Sequence, residues 1–429
     1  MNSAMQVTPP DHRALRFLTA GSVDDGKSTL IGRLLFDSRA ILADQLDTLE
    51  KRAAGAPIDL SLLTDGLEAE REQGITIDVA YRYFATAQRK FIIADAPGHE
   101  QYTRNMVTAA AGSDAAVVLV DITKLDTTVT PVRLLAQTRR HALLAQLLRV
   151  PSIVFAINKL DAVDDPQPAF EAVRAALLAF AREADMAVAG IIPVSALRGD
   201  NVTQPMQASW YDGPTLLQLL ERLPAAQERT LGELLIPVQY VALPGEGIGD
   251  KARTLWGRIA HGTVRAGDEV EIFPSRQRAS VTEVRVAGAL VDAAQAGQSA
   301  GLTLDRQLDV SRGNWIATPG TLQPIQRFEA TLAWLDTEPA VVGRKYVVRH
   351  GNRWVQARIE SVQSCLDIHT LQATAAHELQ VNEIGNVVVQ TQEPLPIEAY
   401  ATNRVAGSLI LVDPTSNRTS GALLARPTH

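Results

Sequence analysis

The sequence predicts an α/β domain with a mainly parallel sheet, followed by two β-barrel domains. In roughly the first half of the chain, short β-branched runs alternate with longer helical stretches, which is typical of a parallel sheet covered on both faces. From Leu234 onward the helical periodicity fades, and short strands recur between turns that contain Gly or Pro, as in β-barrels. The length of 429 residues also favours several domains, because one domain usually takes about 150 residues.

Apolar runs in the first part predict the elements of the α/β domain. The runs do not alternate with polar residues, as expected of strands that are buried on both faces. The predicted strands are Arg16–Ala20, Lys90–Ala94, Ala115–Val120, Ser152–Ile157 and Gly190–Val194. The predicted helices are Lys27–Phe36, Gln101–Ala111, Pro131–Leu148, Pro168–Ala187 and Pro214–Leu223.

The second part predicts short strands in two groups, with a break near Thr318–Gln323. We expect a flexible segment at 1–13, the α/β domain at 14–229, one barrel at 230–320 and a second at 321–429. The predicted barrel strands are Ile236–Val241, Thr254–Ala260, Glu269–Phe273, Val281–Val286, Phe328–Leu335, Arg344–Val348, Trp354–Val362 and Asn386–Thr391.

Composition excludes several classes of protein. With 46% hydrophobic and 21% charged residues, the chain is not mainly disordered. A net charge of -7 disfavours a role on nucleic acid. Cys365 is the single cysteine, so a disulfide framework and a four-cysteine zinc site are excluded. The polar start MNSAMQVTPPDHR is not a signal peptide, and no apolar run reaches the ~20 residues that span a bilayer. We therefore expect a cytoplasmic protein without a membrane partner.

A phosphate-binding loop follows the first predicted strand. The segment GSVDDGKS at 21–28 fits G-x-x-x-x-G-K-S/T, in which backbone N–H groups and a helix N-terminus meet the phosphates. Lys27 would bridge the β- and γ-phosphates as a catalytic residue, and the Ser28 hydroxyl would bind Mg²⁺. The alternative is an accidental glycine turn, but a predicted strand before the motif and a helix after it favour nucleotide binding. The residues assigned to this loop are Gly21, Ser22, Val23, Asp24, Asp25, Gly26, Lys27, Ser28 and Thr29.

The NKLD segment after the Ser152–Ile157 strand predicts guanine as the base. The Asp161 carboxylate can accept hydrogen bonds from N1–H and the 2-amino group of guanine, whereas adenine would leave that charge unpaired. Taken alone, four such letters could equally be a helix N-cap turn. The residues assigned to base recognition are Asn158, Lys159, Leu160 and Asp161, joined by Ser195, Ala196 and Leu197 in a loop that can reach guanine O6.

A sensor for the γ-phosphate is predicted at DAPGH, directly after the Lys90–Ala94 strand. Thr76, in EREQGITI, would act as a catalytic residue that adds a hydroxyl and a carbonyl to the metal and the γ-phosphate, ordering its loop only while the γ-phosphate is present. His99 is the candidate to orient the attacking water, although a lone histidine is often only structural. The assigned residues are Asp95, Ala96, Pro97, Gly98 and His99, and the predicted Mg²⁺ ligands are Ser28, Thr76 and Asp95.

Together these motifs resemble the translation-factor class of GTPases, in which a G domain precedes two β-barrels. The resemblance covers nearly the whole chain and is closest to the GTPase large subunits of heteromeric bacterial sulfate adenylyltransferase. Elongation factors that carry aminoacyl-tRNA usually have His where Asp25 stands. The segment 122–135 departs from the family by being longer and less glycine-rich. The segments that carry the resemblance are GSVDDGKSTLIGRLLFDS at 21–38, EREQGITIDVAYRYF at 70–84, DAPGHEQYTRNMVTAAAGSDAAVVLVD at 95–121 and QTRRHA at 137–142.

The resemblance implies a P-loop GTPase with GTP and Mg²⁺ as cofactors. It also implies a partner, an ATP-pyrophosphatase-like small subunit that forms adenosine 5′-phosphosulfate from ATP and sulfate while GTP hydrolysis drives accumulation. Val23 and Ile75 would flank the attacking water beside His99.

Two alternatives remain open. One is a translation elongation factor that delivers aminoacyl-tRNA, but residues 231–429 hold 18 basic and 20 acidic residues, a balance that disfavours an RNA-binding face. The other is a GTP-gated scaffold without catalysis, which the intact sensor motif disfavours.

Overall fold

The computed structural model describes residues 14–41, 51, 58–63, 79–96, 103–225, 232–243, 253–367, 370 and 372–427. The chain divides into two compact units; of the described residues, the first holds those up to 225 together with Thr370, and the second holds 232–367 and 372–427. Across these described segments, no helix is both long enough and apolar enough to cross a membrane.

The first unit is built on a six-stranded sheet with the order β2-β3-β1-β4-β5-β6. Neighbouring strands are parallel except β2, which runs antiparallel to β3. The strands are β1 Leu15–Ala20, β2 Ala80–Ala85, β3 Lys90–Asp95, β4 Ala115–Asp121, β5 Ser152–Asn158 and β6 Val188–Pro193. The helices are α1 Lys27–Asp37, α2 Thr103–Ala111, α3 Ala136–Leu147, α4 Pro166–Glu183 and α5 Leu216–Arg222. The predicted mainly parallel α/β domain is confirmed.

The central strands explain why their apolar runs were recognisable. Every residue of β4 and β5 is buried, since helices cover both faces of the sheet. Leu30 and Leu34 of α1 pack into the same core cluster as Val117 of β4 and Val154 of β5. The carboxyl ends of these strands are thereby held rigidly, and ligand-binding loops in parallel sheets begin at such ends.

One strand of this unit was missed, and one predicted helix needs correction. Strand β2 was not predicted, because it lies at the sheet edge and several of its residues are exposed. The helix predicted at Pro131–Leu148 begins only at Ala136. Before it, Val132 and Leu134 are buried while Pro131 and Arg133 are exposed, and this period of two is that of extended chain.

The first barrel of the second unit follows the strand order β7-β16-β11-β12-β15-β9-β8, with β13 paired to β12 and a separate pair β10–β14. Its core cluster is aliphatic, with Ile236, Val270, Val281 and Leu302 among its members. The strands are β7 Leu235–Pro237, β8 Tyr240–Ala242, β9 Thr254–Arg258, β10 Thr263–Arg265, β11 Glu269–Phe273, β12 Gln277–Val286, β13 Ala289–Val291, β14 Ala293–Gln295, β15 Ser299–Leu304 and β16 Trp315–Ala317. The predicted strand Ile236–Val241 is wrong as one element, since it falls into β7 and β8.

The second barrel closes on itself. Strands β19, β24, β25, β17, β23 and β20 pair in that order, and β20 pairs back with β19. Inside, Trp334 meets Tyr346 edge to face, with 5.8 Å between ring centroids. The elements are β17 Ile325–Trp334, β18 Ala340–Val341, β19 Lys345–His350, β20 Arg353–Leu366, β21 Ala373–Thr374, β22 Glu378–Leu379, β23 Ile384–Leu395, the short helix α6 Arg404–Gly407, β24 Ser408–Val412 and β25 Thr419–Ala425. The fold class is confirmed, and the limits 14–229, 230–320 and 321–429 stay a prediction.

A buried histidine joins the two groups of strands in the second unit. The His350 ring stacks on Trp315 with 4.8 Å between centroids, and its Nε2 lies 2.8 Å from the Ala406 carbonyl oxygen. Burial lowers the pKa of His350 to about 4, against which the contact with that carbonyl acts weakly. The ring is therefore neutral at pH 7.

Candidate nucleotide site

The loop between β1 and α1 has the backbone that its glycines and aspartates permit. Asp24 has a φ of 61° and Gly26 a φ of 91°, both in the left-handed region that Gly and Asp tolerate better than most residues. A Cβ on Gly26 would lie 2.5 Å from Asn158 Nδ2. Glycine at this position is thus required by conformation and by space.

Lys27 lies folded against this loop at the start of α1. Its side chain is buried, and Nζ donates to the Gly21 carbonyl at 3.0 Å and the Ser22 carbonyl at 2.8 Å. Burial lowers the pKa of Lys27, and the nearby Asp95 and Asp25 carboxylates oppose that shift. Phosphate binding by Lys27 stays a prediction, in which the ammonium would exchange these bonds for contacts with phosphate oxygens, which are stronger, charged acceptors.

Asn158, at the end of β5, ties the phosphate loop to the loop after β6. Its Nδ2 donates to the Asp25 carbonyl at 2.8 Å, and its Oδ1 accepts from the Ala196 N–H at 2.9 Å. Asn158 is buried, so both bonds are shielded from water and costly to leave unmade. The predicted phosphate and base loops are therefore in direct contact.

The predicted base reader lies in the turn that follows Asn158. Lys159 has a φ of 66°, and its Nζ is 2.7 Å from Asp121 Oδ2 at the end of β4. Asp161 is mostly buried, and its carboxylate lies 4.0 Å from Arg198 Nε. Leu160 is buried beneath the turn. The Asp161 carboxylate is thus held near the other predicted base contacts without a close ion pair to Arg198.

The loop after β6 is supported from α1. Ser195 and Ala196 are buried, whereas Leu197 is 68% exposed. Arg33 Nη2 donates to the Leu197 carbonyl at 2.6 Å. No sequence motif marks Arg33, because its contact spans 164 positions of the chain.

Two of the three predicted metal ligands lie in the described residues. Ser28 is in the first turn of α1, next to Thr29, and Asp95 is the last residue of β3. Asp95 is 2% exposed, and Thr19 Oγ1 donates to its Oδ1 at 3.3 Å. A hydroxyl and a carboxylate are hard oxygen donors, so the donor set fits Mg²⁺. The described segments contain no cluster of three or more His, Cys, Asp or Glu that could hold a metal ion by themselves.

The remaining sensor residues are mostly outside the described part of the chain. Ala96 follows Asp95 and is fully buried. Thr76, Pro97, Gly98 and His99, together with Ile75 of the predicted hydrophobic gate, lie outside the described residues. Their assignments stay predictions.

A second lysine, Lys124, reaches the phosphate loop from the turn after β4. Its Nζ lies 2.8 Å from Asp25 Oδ1 and 3.9 Å from Asp121 Oδ2. It also donates to the Val23 carbonyl. Lys124 belongs to the segment 122–135, where the sequence departs from the resembling family, and no motif identified it.

Comparison with known families matches both parts of the chain. Residues 12–228 match the Elongation factor Tu GTP binding domain, and residues 327–423 match the GTP-eEF1A C-terminal domain-like family. The chain therefore carries a GTP-binding domain of the elongation factor type.

Curated relatives are similar along almost the whole chain. Sulfate adenylyltransferase subunit 1 of Laribacter hongkongensis is 43% identical over 96% of this chain and 85% of the relative. The protein of the same name from Shewanella woodyi is 41% identical over 96% of this chain and 87% of the relative. The Bifunctional enzyme CysN/CysC of Mycobacterium tuberculosis is 45% identical over 95% of this chain and 66% of the relative. The chain belongs to the sulfate adenylyltransferase subunit 1 family of elongation-factor-type GTPases.

Proposed function

We propose that this chain is the GTP-hydrolysing subunit of a sulfate adenylyltransferase. It would couple GTP hydrolysis to the formation of adenosine 5′-phosphosulfate and pyrophosphate from ATP and sulfate, a reaction that takes place on a partner subunit. The observation that carries this proposal is the pair of bonds from Asn158 to Asp25 and Ala196, which joins the phosphate loop to the guanine-reading loops in a chain of this family.

Each residue of the site has a proposed task. Backbone N–H groups of the phosphate loop and the Lys27 ammonium bind the phosphates, and Asp161 selects guanine by accepting from N1–H and the 2-amino group. Ser28, Asp95 and Thr76 would hold Mg²⁺, which supplies neutralising charge at the phosphates when bound.

Hydrolysis is assigned to residues near the predicted sensor. His99 would orient the water that attacks the γ-phosphate, with Val23 and Ile75 excluding other water. The products are GDP and inorganic phosphate. Because Thr76 and the loop of residues 95–99 lose their γ-phosphate contacts after hydrolysis, the same site would act as a switch.

Energy coupling requires that the partner distinguishes the two nucleotide states. The phosphate-loop motif occurs once in the sequence, and its predicted base reader selects guanine. Adenylylation of sulfate is therefore assigned to an ATP-pyrophosphatase-like small subunit. An effector shifts an equilibrium only by its differential affinity for the two states, so that subunit must bind the GTP and GDP forms unequally and, by reciprocity, change nucleotide affinity here. A reducing cytoplasm is the proposed location, in keeping with a single cysteine.

Delivery of aminoacyl-tRNA is the weaker alternative. The barrel part of the chain has more acidic than basic residues, whereas RNA-binding domains usually carry a basic patch. The names of the curated relatives also favour sulfate activation.

The test uses the purified chain together with its small subunit. We expect the yield of adenosine 5′-phosphosulfate from ATP and sulfate to rise strongly with GTP over GDP, and a non-hydrolysable GTP analogue to promote assembly without sustaining product accumulation. The isolated chain should turn over GTP slowly and form no adenosine 5′-phosphosulfate. Equal yields with GTP, with GDP and without guanine nucleotide would overturn the coupling role.

A further inference from the structure

We propose that Lys124 is a positioning residue of the nucleotide site, which holds the phosphate loop in its binding conformation by neutralising the buried carboxylate of Asp25. The inference rests on the nucleotide-binding part of the proposed function and is independent of sulfate activation. It assigns a role to the segment after β4 that no motif predicted.

Asp25 is a buried acid in the middle of the phosphate loop. It has no exposed surface, and its Oδ2 accepts from the Ser22 N–H at 2.6 Å. Its backbone carbonyl accepts from Asn158. The carboxylate therefore fixes the first turn of the loop, while the carbonyl fixes the contact to the base-reading side.

A buried carboxylate needs a compensating charge. Removing one member of a buried pair is strongly destabilising, because the remaining charge is left without compensation. Within the described segments, Lys124 is the basic side chain that lies within 4.0 Å of the Asp25 carboxylate, at 2.8 Å. The same ammonium donates to the Val23 carbonyl, so it contacts the loop both at a side chain and at the backbone.

Lys124 itself is held in place by the end of β4. Asp121 Oδ1 accepts from the Thr123 N–H at 3.0 Å and from Thr123 Oγ1 at 2.6 Å, which forms the short turn Ile122–Lys124. The other oxygen of Asp121 lies 3.9 Å from Lys124 and 2.7 Å from Lys159.

The four side chains form a row of alternating charge, Asp25–Lys124–Asp121–Lys159, from the phosphate loop to the guanine reader. The two acids are 0% and 1% exposed, and the two lysines 33% and 34%. Lys124 contacts both acids, so it links the two halves of the site. Because the contacts of Asp25 and Lys124 lie within the phosphate loop and at the end of β4, loss of Lys124 is expected to weaken GDP and GTP binding alike.

The experiment measures the affinity of the full chain for fluorescent GDP and GTP analogues. Lys124→Met removes the ammonium while keeping a similar length, and we expect both affinities to fall by about 10- to 100-fold, the range for a lost charged hydrogen bond. Lys124→Arg retains the charge and should lose much less. In the double variant Asp25→Asn with Lys124→Met, most of the loss should be recovered, because the amide oxygen of Asn can still accept from Ser22 and position 25 no longer carries a buried charge.

The matched control is Lys90→Met, which removes an exposed lysine from β3 and should leave both affinities unchanged. Wild-type affinity in Lys124→Met, or a double variant that binds no better than Lys124→Met, would overturn the proposal. If Lys124→Met does not fold, the double variant decides: binding within about tenfold of wild type supports the role, and failure to fold or bind refutes it. None of these measurements uses the partner, ATP or sulfate, so failure of the coupling role would be seen separately.

Discussion

Replacing Gly26 by alanine tests the close approach of the phosphate loop to Asn158. The added Cβ would lie 2.5 Å from Asn158 Nδ2 and 3.8 Å from its Cγ. Contact at 2.5 Å is repulsive, so the Asn158 amide must move away from the Asp25 carbonyl, to which it now donates at 2.8 Å. The backbone cannot relieve the clash easily, because alanine disfavours the φ of 91° found here.

The backbone strain at position 26 and the clash with Asn158 affect different measured quantities. A Cβ in the left-handed conformation costs about 1–2 kcal/mol, and this strain lowers the free energy of unfolding with or without nucleotide. Leaving a buried hydrogen-bonding group unpaired costs about 1–3 kcal/mol. Because Asn158 also holds Ala196 of the predicted base-reading loop, we expect this second cost to raise the Kd for GDP by roughly 5- to 150-fold.

The assay is fluorescence titration of GDP, combined with thermal unfolding. Gly112→Ala is the matched control, since a Cβ there meets nothing within 4 Å, and it should change neither quantity. If the clash acts through Asn158, then adding Gly26→Ala to Asn158→Ala should weaken GDP binding little further. A Kd for Gly26→Ala within twofold of wild type would refute the reasoning.

Three further predictions concern base choice, chemistry and pH. Asp161→Asn should weaken GTP binding by about 1.5–3 kcal/mol, the range for hydrogen bonds to a charged group. The variant should also prefer xanthine over guanine nucleotides. If it still prefers GTP in a competition assay, the guanine assignment is contradicted. His99→Ala should leave GTP affinity nearly intact but slow hydrolysis by about 10²-fold in single-turnover assays, because orienting the attacking water stabilises the transition state. Unchanged hydrolysis would remove His99 from the mechanism. His350 has a pKa of about 4 in the folded protein and about 6.5 in the unfolded chain. As the pH falls from about 6.5 to about 4, the unfolded chain gains a proton that the folded protein does not, so the second unit should lose up to about 3 kcal/mol of stability. Thermal unfolding at pH 7 and pH 5 followed by tryptophan fluorescence should show a smaller difference in His350→Gln than in wild type, and equal differences would show that His350 is not responsible.

The elements that the sequence predicted well are those with one dominant physical cause. Strands β4 and β5 were predicted because burial on both faces demands a continuous apolar run. Strand Glu269–Phe273 was predicted with its observed limits. The edge strand β2 and several barrel strands of only three residues were not predicted, because partial exposure and short length remove the periodic signal.

The candidate nucleotide site likewise has one part that was recognisable from the sequence and another that was not. By itself the sequence was enough to locate the candidate phosphate loop and the Asn158–Asp161 segment, because each is a short continuous stretch that matches a known motif. Only the tertiary structure decided that Asn158 lies close enough to Gly26 to exclude a Cβ, and that Lys124 is the counter-ion of Asp25. These contacts join residues about a hundred or more positions apart, on loops that the parallel sheet brings to the same edge. A buried charge or amide must find a partner there, but which residue supplies it depends on the three-dimensional packing of the strands and not on any local pattern.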